Sequence, residues 1–110
     1  MATKQATVDY LLDQASGAGD VSVRKMFGEY GMHCDDKFVA LLCDDRFFVK
    51  STPEGLEHLG PHDKAPPYPG AKDYPVVPEE RWEDSDFMAE LIRLTAAALP
   101  APKPKKKKAL

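Results

Sequence analysis

Two cysteines, each followed by a pair of aspartates, are the residues here best suited to chemistry. Cys34-Asp35-Asp36-Lys37-Phe38 returns nine residues later as Cys43-Asp44-Asp45-Arg46-Phe47. Thiolates and carboxylates are what a metal site needs, and His33 stands beside the first cysteine. The same phrases also fit two tight turns, because an aspartate carboxylate bonds nearby backbone N–H groups and tolerates left-handed backbone. Register separates the two readings. If Asp35-Asp36 and Asp44-Asp45 are two-residue turns, Cys34 lies opposite Lys37, Met32 opposite Val39 and Tyr30 opposite Leu41. Across the second turn Cys43 lies opposite Arg46, and Leu41 opposite Phe48. The cysteines then stand at opposite ends of one hairpin, about 20 Å or more apart at roughly 3.3 Å per strand residue. That span excludes a disulfide between them and a shared metal. Adjacent strand residues point to opposite faces, which argues against a joint site of His33 and Cys34. The repeat reads as two turns of a meander, and no metal or other cofactor is expected.

Periodicity supplies the elements around those turns. Residues 4–16 read as a helix with Val8, Leu11, Leu12 and Ala15 on one stripe, Thr3 as N-cap and Gly17 as stop. From Val21 to Ser51 four short β runs follow: VSVRKMF, EYGMHC, FVALLC and RFFVK. FVALLC is apolar at every position, so it is expected as a central strand covered on both faces by helices or a second subunit. Thr52-Pro53 restarts a short helix that Gly60-Pro61 ends. Residues 61–75, rich in Pro and Gly, read as a long loop. YPVV (74–77) reads as a short edge strand, where the missing N–H of Pro75 would face solvent. A last helix runs from about Ser85 or Asp86 to Leu99, with Phe87, Leu91, Leu94 and Ala98 as its stripe, and Pro100 stops it.

The chain has 110 residues, 43% hydrophobic and 30% charged, which fits one domain with a real core. Its net charge of −3 is uneven. Residues 1–100 carry 10 basic and 18 acidic side chains, a balance of −8; residues 101–110 carry five lysines and no acid. The expected organisation is one domain over 1–100 and a disordered Lys/Pro-rich tail over 101–110, which has almost nothing to bury. The N-terminus has no uninterrupted apolar segment and no apolar run is long enough to span a membrane, so a cytoplasmic, reduced protein is expected.

KMFGEYGMHCDDKFVALLCDDRFFVKS, followed by APPYPGAKDYPVV and by DFMAELIRLTAAALPAPKPKKKK, resembles the N-terminal domain of the TfoX/Sxy family, bacterial regulators associated with natural competence. The likeness covers residues 5–108, and Met-Phe-Gly-Glu-Tyr-Gly and Pro-Pro-Tyr-Pro-Gly-Ala-Lys are its most specific parts. The family usually has Asp-Gly where this chain has Asp-Asp. Full regulators carry a second, C-terminal helical domain, so this sequence reads as a stand-alone member. The resemblance implies an α+β fold with an antiparallel sheet and flanking helices, and implies no established catalytic residues. It agrees with the pattern read above: an antiparallel β-meander sheet of four to five strands flanked by an N-terminal and a C-terminal helix.

The remaining candidates are weak as chemistry. Phe27-Gly28-Glu29-Tyr30-Gly31 precedes a strand, so it reads as a bend and not a phosphate loop. His33, His58 and His62 lack the partners a catalytic histidine needs. Arg46 opposite Cys43 is a single cation, too little to activate a thiol. Met26, Phe27, Tyr30, Tyr68, Lys72 and Tyr74 would line a groove between the loop and the sheet, fit for a small anionic ligand or a peptide. The tail lysines Lys103, Lys105, Lys106, Lys107 and Lys108 would add weak, sequence-independent attraction to nucleic acid. The expected function is a non-enzymatic regulatory domain acting in transcription or competence through a protein partner. The alternative is a small-ligand binder or an enzyme using the aromatic groove. Two substantial helices cover one sheet face and not two, so either a homodimer or the 61–75 loop is expected to cover the other.

Overall fold

The computed structural model describes residues 3–26 and 29–100, the Met26 side chain excepted. Its first helix, α1 (Gln5–Ala15), buries Val8, Leu11 and Ala15. Four strands follow, β1 (Val21–Met26), β2 (Glu29–Cys34), β3 (Lys37–Cys43) and β4 (Arg46–Val49). The short helix α2 (Pro53–Leu59) leads to β5 (Asp63–Ala65), β6 (Tyr74–Val77) and the last helix, α3 (Ser85–Ala98). All strand pairs are antiparallel, in the order β1-β2-β3-β4-β6-β5. The α+β class and the flanking helices are as expected from the sequence, but the sheet has six strands. The additional strand, β5, lies inside the segment expected to be loop. It takes the edge, so β6 is internal; Pro75 is accommodated there because pairing with β4 starts only at Val76.

Both aspartate pairs are two-residue turns with left-handed backbone. Asp35 and Asp36 have φ of 51° and 69°, Asp44 and Asp45 of 55° and 57°. Consecutive positive φ values match the twist of flanking antiparallel strands. The second turn has the expected register, with Cys43 opposite Arg46 and Leu41 opposite Phe48. The first departs from it after two pairs. Cys34 faces Lys37 and His33 faces Phe38, but Met32 faces Ala40, Gly31 faces Leu41 and Tyr30 faces Leu42. Val39 is an extra residue in β3, a β-bulge.

That bulge reassigns the faces. Val39 and Ala40 both enter the main core with Met32, Cys34, Leu42, Phe47 and Val49, beneath residues of all three helices. Phe38, which unbroken alternation would set beside Ala40 and Leu42, instead joins Leu41, Cys43 and Phe48 on the opposite face. Met32 and Val39, expected with Phe48, lie on the helical side. No helix covers the opposite face, yet Phe48 is 0% and Leu41 5% exposed within the single chain. The Arg46 guanidinium sits 5.1 Å over the Phe48 ring and the Lys50 ammonium 5.0 Å over the Phe38 ring. Long side chains with charged heads can shield apolar groups in this way. Ala65, Tyr74 and Val76 pack against the same cluster. No second copy is needed to bury it.

The helices are tied down by side chains. Thr52 accepts from the Gly55 N–H at 3.1 Å and caps α2. A methyl group at Gly55 would lie 2.7 Å from Thr52 Oγ1 and 2.8 Å from Thr95 Oγ1, so glycine permits the close approach of α2 to α3. Asp84 accepts from Phe87 N–H at the start of α3, and Lys37 Nζ donates to the Ala96 carbonyl near its end, at 2.9 Å. The α3 buried face is Phe87, Met88, Leu91, Ile92, Thr95 and Ala96. Leu94 is half-buried and Ala98 exposed. The predicted stripe is rotated because α3 packs against α1, α2 and the sheet at once. Thr3 does not cap α1; its hydroxyl accepts from Asp45 N–H at 3.2 Å, while Asp45 Oδ1 accepts from Lys4 N–H at 2.8 Å.

These contacts separate the turn aspartates. Asp36→Gly relieves left-handed strain and removes no side-chain hydrogen bond among the described residues, so it should stabilise by about 0.5–1 kcal/mol. Asp45→Gly relieves the same strain but loses the bond to Lys4 N–H, worth about 1 kcal/mol, and should give no gain. Thermal denaturation checks the order; Asp45→Gly melting above Asp36→Gly would contradict it.

Candidate functional site

The aromatic groove expected between loop and sheet divides between two faces. Tyr30 packs on the helical side, where its hydroxyl reaches Gln5 Oε1 at 3.4 Å. Tyr74 packs on the opposite face beside Phe48. Tyr68 is 46% exposed in the loop and Lys72 is exposed. Phe27, the Met26 side chain and the tail lysines lie outside the described residues. A cleft of about 480 Å3 does exist here, lined by Glu29, Asp44, Arg46, Pro66, Pro67, Tyr68 and Pro69. Among the described residues Tyr68 is the one expected groove residue in its wall, and Arg46 supplies a cation. Glu29 is committed to structure: its two oxygens accept from Thr3 N–H at 2.9 Å and Asp44 N–H at 3.0 Å, joining the start of α1 to the second turn.

Folding also sorts charge. Residues 5–15, 53–59 and 79–98, the helical layer, carry ten carboxylates and two arginines, a balance of −8. Both arginines are engaged: Arg81 lies 3.8 Å over the Phe87 ring and Arg93 is bonded to Glu90. The strands with Lys50 carry six cations and two carboxylates, a balance of +4. Sequence order hides this partition because it interleaves the two layers. Between α1 and the 3-10 turn at Glu79–Arg81 lies a cleft of about 320 Å3, lined by Ala6, Thr7, Tyr10, Glu79, Trp82 and Glu83. Trp82 forms a fixed wall, its indole N–H donating to Val77 O at 3.2 Å and its carbonyl accepting from Gln14 at 2.8 Å. Tyr10 is 40% exposed, and Glu79 and Glu83 form no ion pair among the described residues.

The thiols are placed for packing. Cys34 and Cys43 are free and buried. Burial, with Glu29 and Asp44 beside it, pushes the Cys43 thiol up to about 11. Arg46 faces Cys43 across β3 and β4, yet the thiol is raised and not lowered. Burial likewise raises Cys34, reinforced by Asp35 and Asp20. His58 stacks on Phe87 at 4.8 Å, with Nε2 3.2 Å from the Phe87 carbonyl oxygen, and His62 Nδ1 lies 2.7 Å from Gly60 O. His33 lies against Phe38, ring centroids 5.3 Å apart; burial and then Arg24 lower its pKa. Among the described residues no three His, Cys, Asp or Glu side chains group to hold a metal, and no helix is long and apolar enough to cross a membrane.

An antiparallel six-stranded sheet with helices on one face defines a small α+β domain. The family model described as the TfoX N-terminal domain matches residues 13–99. The chain belongs to that family, which is not a known enzyme family. It is also similar, at 44% identity over 108 residues, to the "uncharacterized 12.7 kDa protein in trpE 5′ region" of Spirochaeta aurantia. The match spans 98% of this chain and 93% of that relative.

The thiol environment has a direct consequence. A rise from 9.0 to about 11 lowers the thiolate fraction of Cys43 roughly a hundredfold at neutral pH. Native protein treated with iodoacetamide should stay unmodified at both cysteines while urea-unfolded protein takes two labels, read by mass spectrometry. A native thiol that reacts as fast as free cysteine would contradict this placement.

Proposed function

We propose that the domain is a non-enzymatic regulatory module, related to competence or transcription, that works in the cytoplasm by contacting another protein through its acidic helical layer. The observation behind this reading is the cleft at Tyr10 and Trp82. A half-exposed aromatic ring beside a fixed indole, flanked by the carboxylates of Glu79 and Glu83, suits the basic side chains of a partner. Family membership agrees with a competence-related domain. The layer's balance of −8 would speed association with a basic surface and reject acidic ones.

The second reading, a small-ligand site between loop and sheet, is favoured by the cleft of about 480 Å3 at Tyr68. Arg46, the one cation in its wall among the described residues, shares that wall with Glu29 and Asp44, which disfavours an anion.

Glu79→Lys with Glu83→Lys tests the first reading. Both positions are exposed, so the fold should tolerate the exchange. Affinity capture from source-cell extract should recover a partner with the native chain in a salt-dependent way. Recovery should fall by roughly tenfold or more with the double variant. Equal recovery by both would contradict a partner on the helical layer.

A further inference from the structure

Trp82 belongs to the walls of two clefts. One is the cleft of about 320 Å3 with Tyr10, Glu79 and Glu83. The other, of about 140 Å3, has Val76, Val77 and Pro78 in its wall with Asp45 and Arg46, and shares Glu79 and Trp82 with the first. The strand ladder explains why it opens. Pairing of β4 with β6 runs through Phe48–Val76 and Phe47–Val77. Pro78, next along, has no N–H to continue it, and the chain leaves the sheet into the 3-10 turn at Glu79–Arg81. Arg46 is in turn a wall residue of the cleft of about 480 Å3, with Pro67 and Tyr68. The three clefts therefore adjoin through shared side chains, from Tyr10 past Trp82 and Arg46 to Tyr68.

We infer that this row of clefts holds an extended segment of a partner protein, with an arginine of that segment at Tyr10 and Trp82 and a proline or other apolar residue on Val76 and Pro78. The inference rests on the reading that the helical layer contacts a protein, and it states which part of that protein enters. Shape is the first argument. Adjoining shallow clefts suit a chain laid along the surface, whereas a compact molecule fills only one of them. Charge is the second. Among the described residues the walls hold five carboxylates, of Glu29, Asp44, Asp45, Glu79 and Glu83, against the one guanidinium of Arg46. A nucleic acid or an acidic peptide is repelled, and a basic peptide is drawn in. The third is the chemistry at Trp82. A phenol ring, an indole and two carboxylates in one wall suit a guanidinium better than an ammonium, because the planar, weakly hydrated group stacks on a ring while it donates to carboxylates. The indole is already fixed by its bond to Val77 O, and the Trp82 carbonyl by Gln14, so binding has little left to order on this side.

Selection from a displayed library of random peptides, each about ten residues long, on the full-length chain tests the assignment. Recovered peptides should share an arginine followed within a few positions by proline or another apolar residue. Trp82 is the chain's one tryptophan, so its fluorescence reports binding of the synthesised consensus peptide at the site itself. Tyr10→Ala, at an exposed position, should weaken that peptide roughly fivefold. Lysine in place of the peptide's arginine should weaken it by about threefold. Melting curves establish that the variant is folded. Selected peptides without arginine, binding unchanged in Tyr10→Ala, or a library that yields no consensus would overturn the proposal. Should the extract partner still be lost with Glu79→Lys and Glu83→Lys, the protein-contact reading survives that failure, and its partner presents a folded basic surface instead. Tetramethylammonium bound as tightly as the peptide would overturn the proposal in favour of a small cationic ligand.

Discussion

One extra residue in β3 decides what each face of this protein offers. Without the bulge at Val39, alternation would send Phe38 into the helical core and Val39 out of it. With it, Val39 and Ala40 both pack beneath the helices, while Phe38 turns to the opposite face and meets His33 and Lys50. The core gains two adjacent apolar side chains from one strand, and the open face gains a ring. The left-handed turn at Asp35-Asp36 ends three positions before Val39 and starts the hairpin in register. Turn and bulge together fix β2 against β3, and the rest of the sheet is built outward from that pair.

A second consequence is a molecule with two chemically distinct sides. All three helices lie on one face and carry most of the carboxylates, so the acidic surface is separated from the opposite sheet face by a hydrophobic core. The second turn ties the layers together. Glu29 bridges the backbone of Thr3 and Asp44, and Asp45 accepts from Lys4, so the start of α1 is held against the β3–β4 turn by charge-assisted bonds. The first of the two Asp-Asp pairs serves register, and the second serves docking of a helix. Neither serves a metal, and the thiol beside the second is raised by the carboxylates that gather there.

Much of this was legible in the residues. Asp-Asp marked both turns, Thr52-Pro53 marked α2 with its cap, and the stripe at Val8, Leu11 and Ala15 marked α1. The bulge was not legible, because FVALLC has no polar residue to show where alternation slips. β5 was hidden because three residues, Asp63 to Ala65, become a strand only through β6, eleven or so positions on in a Pro/Gly-rich stretch. The aromatic groove could not be judged from composition. Tyr30 and Tyr74 are equally aromatic, and only register puts them on opposite faces. The candidate surfaces escaped for the same reason: Tyr10 and Glu79, or Arg46 and Trp82, become neighbours through the fold and not through spacing.

The bulge is therefore the feature to measure first. Nuclear Overhauser contacts in the folded protein read it directly. The account predicts backbone contacts between Met32 and Ala40, ring contacts between His33 and Phe38, and none from the Phe38 ring to Leu42 or Phe47. Backbone pairing of Met32 with Val39, with Phe38 ring protons against Leu42 and Phe47, would contradict it.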